Sequence, residues 1–103
     1  MKIEVRNRNV PGDRHTPDRI REKARRVVSR LADEVAAVMV KVEALAGRTG
    51  GDSREALVLL QLRRGGQVIV RKRGENVMDL VHNALRQARY AVARRASRRR
   101  PRP

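Results

Sequence analysis

The chain has 103 residues, with 26 Lys or Arg against 11 Asp or Glu, and a formal charge of +15 with histidine neutral. Twenty-two of the basic residues are Arg and the aromatic residues reduce to Tyr90, a composition suited to gripping a polyanion, so nucleic acid is the default partner. An apolar share of 40% at this length excludes full disorder and a second core, and the lack of cysteine excludes disulfides and thiolate metal sites. Neither His15 nor His82 has a second ligand type at metal spacing, so no metal or cofactor is expected. The longest uncharged apolar runs, Val35 to Val40 and Ala56 to Leu60, fall far short of the roughly 20 residues of a membrane span, and the N-terminus lacks a signal-peptide core. A soluble cytoplasmic protein is expected.

Lys2 to Val5 alternates polar and apolar residues and predicts a first strand. After a loop at Pro11 to His15, Thr16-Pro17 supplies a hydroxyl N-cap and a proline at the first helical position. Ile20, Ala24, Val27, Val28 and Leu31 then recur at helical spacing, a stripe that needs a sheet beneath it. Val35 to Leu45 alternates around Val38, Val40 and Val42 and predicts a long second strand. A glycine-rich connection, Ala46 to Ser53, leads to a third strand at Ala56 to Arg63 and a fourth at Gln67 to Arg73. A three-residue turn of Arg64-Gly65-Gly66 between them pairs Leu62 with Val68 and Leu60 with Val70, which keeps one face apolar. Asn76, with Asp79 three residues on, caps a second helix whose buried stripe is Val77, Leu80, Val81, Ala84, Leu85, Ala88 and Val92. The expected architecture is α+β, in the order β-α-β-β-β-α, with both helices on one face of a mostly antiparallel sheet. Residues 1-95 form this domain, and 96-103 an Arg-rich tail that orders only on a polyanion.

On a helical wheel Arg19, Lys23, Arg26 and Arg30 form one ridge beside the apolar stripe of the first helix, while Asp18 and Glu22 occupy its outermost face. On the second helix His82, Arg86 and Arg89 align, with Tyr90 and Arg94 further round. Surface helices usually mix charge signs through i,i+4 pairs, yet no acid follows Leu80, so the like charges there call for a neutralising polyanion. These nine residues are the candidate RNA contacts; Tyr90 can stack on an unpaired base and His82 can make a polar contact. No Ser/His/Asp set, carboxylate pair or P-loop is present, so catalysis is not expected. Gly65-Gly66-Gln67 spells the triplet of peptidyl-tRNA hydrolases and release factors, but sits in a short hairpin without their extended glycine-rich loop. A ribosome-rescue hydrolase using Gln67 is one alternative, and a general nucleic-acid-binding or transcription-modulating protein another. Met39, Leu57, Leu59 and Ile69 fall on the outer sheet face, a candidate homodimer patch.

In the order of its elements and in several motifs the chain resembles the ribosome hibernation promoting factor and ribosome-associated inhibitor family, also labelled sigma-factor modulation proteins, in a short form. The motifs are a first strand ending in Asn9-Val10, the Thr16-Pro17 helix start, the Arg30-Leu31 pair, the valine-rich second strand, the Gly65-Gly66 hairpin and Gly74-Glu75 before the last helix. The resemblance implies a fold similar to double-stranded RNA-binding domains. It further implies binding of ribosomal RNA on the small subunit, occlusion of the tRNA and mRNA sites, and preservation of idle ribosomes under stress. By position the implied contacts are Arg26, Arg30, Arg86, Arg89 and Arg94, whereas Arg19 and Lys23 rest on the wheel alone. The chain departs from the family pattern in its longer loop at Pro11 to His15 and in Met78, His82 and Arg86, where a tyrosine and acids are common. It also stops before any second, ribosome-dimerising domain.

Overall fold

A computed structural model describes residues 1–8, 16–45 and 53–99; residues 9–15, 46–52 and 100–103, which hold the expected Pro11 to His15 loop, nearly all of the glycine-rich connection and the end of the tail, lie outside the described residues. Strand β1 (Lys2–Arg8) runs past the expected Val5, because it pairs in parallel with the long β2 (Val35–Ala44) from Lys2 opposite Ala37 to Arg8 opposite Glu43. Between them lies helix α1 (Thr16–Val28), prolonged by a 3-10 turn at Ser29–Leu31. The chain then pairs β3 (Arg54–Leu62) antiparallel with β2, and β4 (Gln67–Gly74) antiparallel with β3, before helix α2 (Val77–Arg99). The sheet order is β1-β2-β3-β4. This is the expected β-α-β-β-β-α arrangement, with one parallel pair.

Both helices pack on one face, α1 over β1 and β2 and α2 over β3 and β4, and they touch each other. The two apolar stripes explain why. Ile20, Ala24, Val27 and Val28 of α1 and Leu80, Val81, Ala84, Leu85, Ala88 and Val92 of α2 are all buried, over Val38, Val40 and Val42 of β2, Val58 and Leu60 of β3 and Val68 and Val70 of β4. Leu31 and Val77 are half-buried at the margin of this core. Branched valines suit the pleated surface, and alanines bring the helix backbones close to it. Among the described residues no polar or charged side chain is buried, and no helix is long and apolar enough to cross a membrane.

The β3–β4 hairpin corrects the predicted turn. Leu60 pairs with Val68 and Val58 with Val70, so the three-residue loop is Arg63-Arg64-Gly65, one residue earlier than expected. The Gly65 amide donates to the Leu62 carbonyl and the Leu62 amide to the Gly66 carbonyl, each at 3.1 Å. Moving the loop by one residue shifts the register by two, which preserves the apolar face, so alternation alone does not separate the two registers. Glycine placement does not separate them either, since both loops end on a glycine, so the observed pairing decides. Gly65 and Gly66 both have positive φ, 99° and 81°, and left-handed backbone at the last loop position closes a hairpin of this length.

Chain direction follows from two contacts. A Cβ added at Gly74, the end of β4, would meet Leu80 at 3.0 Å, while Arg95 donates to the carbonyl of Gln67, the start of β4, at 3.2 Å. Helix α2 therefore runs antiparallel to β4. Since α1 returns between parallel β1 and β2, the two helices run parallel to each other. Alanine and arginine favour helix, and α2 continues to Arg99, past position 96 where the sequence reading starts the tail.

Candidate nucleic-acid interface

Each helix is turned so that its cations flank the buried stripe. At the start of α2 the Asn76 side-chain oxygen accepts from the Asp79 amide at 3.0 Å, which satisfies an otherwise unpaired N–H and fixes the rotation of the first turn. On α1 the acids select which arginines are neutralised. Asp18 pairs with Arg21 at 3.2 Å and Glu22 with Arg25 at 3.3 Å, both at i,i+3 on the outer flank, and Glu22 lies 3.8 Å from Arg26. Elsewhere Arg6 pairs with Glu4, Lys41 with Glu43 and Arg73 with Glu55. Arg19, Lys23, Arg30, Arg86, Arg89 and Arg94 have no carboxylate of the described residues within 4.0 Å. The cations predicted to touch RNA are thus left uncompensated, with Arg26 the partial exception, as are Lys2, Arg8, Arg64, Arg71 and Lys72 elsewhere on the surface.

Parallel packing brings the ridges face to face. Arg19, Lys23 and Arg26 line one wall of a cleft of about 380 Å³, and Met78, Asp79 and His82 line the other. His82 Nδ1 is enclosed without a hydrogen-bond partner among the described residues. Further along α2, Arg86 and Arg89 place their guanidinium carbons 6.0 and 5.7 Å from the centroid of the Tyr90 ring, within cation–π range. Arg86 also donates to the Tyr90 hydroxyl at 3.5 Å, and the ring is 49% exposed. That hydrogen bond, then the Arg86 charge and the lesser contribution of Arg89, hold the phenol below its ordinary pKa.

Of the nine predicted contacts, four meet in the cleft (Arg19, Lys23, Arg26 and His82) and three cluster around the ring (Arg86, Arg89 and Tyr90). Arg30, in the 3-10 turn, and Arg94, further along α2, are exposed and belong to neither cluster. Sequence reasoning missed Asp79 as a cleft residue, having read it as half of a capping box. It also missed the hairpin tip. Arg63 donates to the Ala32 carbonyl at 2.9 Å and Arg95 reaches Gln67, so Arg63, Arg64 and Arg95 join the end of the molecule where both helices finish. The partial negative charge of helix C-termini favours cations there. Gln67 itself is the first residue of β4, paired with Gln61, so the Gly-Gly-Gln triplet is hairpin. On the opposite face of the sheet Met39 and Leu59 are half-buried and Ile69 is 46% exposed, in one row with Glu4.

No family model and no curated protein matches the sequence. Among solved structures, the N-terminal domain of Thermus thermophilus Protein Y is 23% identical, with a TM-score of 0.70 over 91% of this chain and 98% of that one. The fold is that of the Protein Y N-terminal domain. A ribosomal subunit interface protein from Coxiella burnetii shares it, at 11% identity and a TM-score of 0.70 over 94% of this chain and 99% of that one. The Protein Y fold is thus reached here through a core without a buried aromatic residue, and both neighbours are spanned almost end to end.

Proposed function

We propose that this chain is a ribosome-associated translation inhibitor of the hibernation type, working in the cytoplasm without chemistry. Its α1/α2 groove docks on ribosomal RNA of the small subunit, and the bulk of the domain occludes the tRNA and mRNA sites. The observation that carries this reading is the separation of charges: outer-flank arginines are paired with acids, while Arg19 and Lys23 in the cleft and Arg86 and Arg89 further along α2 have no carboxylate partner among the described residues. Unpaired like charges repel one another until phosphates replace their counterions. The sharing of this fold with a ribosomal subunit interface protein supports the choice of target. Arginine suits the task, because its planar fork binds phosphate at two points and lies flat on an unpaired base.

The deciding experiment is co-sedimentation with separated small and large ribosomal subunits at moderate salt, with excess tRNA as competitor. Saturable binding to the small subunit alone is expected. Arg86→Ala and Arg30→Glu should each weaken it while leaving the circular dichroism spectrum intact. Equal, salt-labile binding to both subunits would reduce the protein to a general RNA-binding domain.

A further inference from the structure

The cleft at the N-terminal end of the groove differs from the rest of it in holding an acid. Three cations, Arg19, Lys23 and Arg26, face Asp79 and His82 across it. Asp79 forms no ion pair within 4.0 Å with these cations or with any other described residue. A carboxylate in a phosphate site repels the ligand's charge, so it weakens binding unless the ligand brings a donor to it. Phosphate oxygens are acceptors and cannot serve. A ribose 2′-hydroxyl can, since it donates as well as accepts, and it is the group that separates RNA from DNA.

His82 points the same way. It lines the cleft, and its Nδ1 is enclosed with no hydrogen-bond partner among the described residues, which leaves Nε2 as the ring's polar atom for a ligand. The cleft's volume of about 380 Å³ lies near the low end for small-ligand pockets, room for one nucleotide's phosphate and sugar.

We infer that this cleft takes one ribonucleotide of an unpaired RNA segment, its phosphate against Arg19, Lys23 and Arg26 and its 2′-hydroxyl donating to Asp79. His82 Nε2 hydrogen-bonds to the same sugar. This rests on the groove being an RNA-binding surface, and adds that the chain reads the sugar rather than the base. A deoxynucleotide leaves Asp79 facing the phosphate with no donor, so DNA meets the repulsion that RNA offsets.

The test compares labelled single-stranded RNA and DNA of one sequence by fluorescence anisotropy, for the full chain and for Asp79→Ala, with Lys23→Ala as control. The unaltered chain should prefer RNA by about fivefold or more, the size of one net hydrogen bond. Asp79→Ala should tighten DNA binding without tightening RNA binding, so that the preference falls towards one, whereas Lys23→Ala should weaken both strands alike and keep it. If Asp79→Ala tightens both by the same factor, the carboxylate acts as a charge alone and the inference falls while the groove stands. If the unaltered chain binds neither strand, the groove reading itself is overturned. A free ribonucleoside monophosphate should bind far more weakly than the strand; equal affinity would overturn the assignment to RNA.

Discussion

Tyr90 is the only aromatic residue of the chain, so tyrosinate absorbance reports on a single place, the Arg86–Arg89 cluster. The two guanidinium groups hold the phenol below its ordinary pKa, Arg86 through a hydrogen bond first and its charge second. The absorbance titration should therefore have its midpoint below about 10, and Arg86→Ala should move it upward. The sign for stability follows from linkage. With the folded value below the unfolded one, the contribution is fully present above the unfolded pKa and is lost as pH falls through the folded one. At neutral pH it is absent, which leaves Tyr90 there as a neutral exposed ring. Titration of the RNA complex reads the same contact: phosphates that draw Arg86 and Arg89 away raise the midpoint, and an unchanged midpoint would mean that neither arginine is engaged.

Elements are joined at the tip of the β3–β4 hairpin, where two left-handed glycines close the turn and Arg63 ties it to the Ala32 carbonyl ahead of β2. A Cβ added at Gly65 would meet nothing within 4 Å, yet φ there is +99°, so backbone conformation and not space decides the effect of a substitution. Gly65→Ala should cost about 1–2 kcal/mol, measured as a shift in the urea midpoint with an unchanged slope. Truncation under the helices acts through space instead. Leu85 is fully enclosed between α2 and the sheet, and Leu85→Ala should cost about 2–5 kcal/mol. That loss would loosen α2 and with it one whole wall of the groove, so ribosome binding should fall alongside the melting temperature.

For the whole molecule the formal charge of +15 sets the salt response. If Arg19, Lys23, Arg26, Arg30, Arg86 and Arg89 each neutralise one phosphate, the logarithm of affinity should fall against the logarithm of salt with a slope of roughly −4 to −5. A slope near −1 would mean that most of the ridge stands clear of RNA. If copies pair through the outer sheet face, around Met39, Leu59 and Ile69, the salt dependence has the opposite sign. Bringing two chains of this charge together is opposed by repulsion that salt screens, so pairing of copies should strengthen as salt rises. Sedimentation velocity across one salt series separates the two behaviours.

Elements whose cause is local were legible in the sequence. Branched valines at every second position marked β2, the Thr16-Pro17 and Asn76 starts marked the helices, and the 3.6-residue stripes picked out the face that each helix buries. The wheel likewise grouped Arg19, Lys23 and Arg26, because spacing along one helix is a property of the chain alone. The sequence could set only the parity of the β3–β4 register, since shifts of two residues preserve the apolar face. It could not show that the helices run parallel, which depends on how β4 is placed in the sheet. That packing brings Asp79 and His82 of α2 opposite the cations of α1, 53 or more positions away in the chain. Charge sign and helix faces are thus written residue by residue, whereas the cleft exists only where two elements meet, because its walls are joined by the sheet and not by the chain.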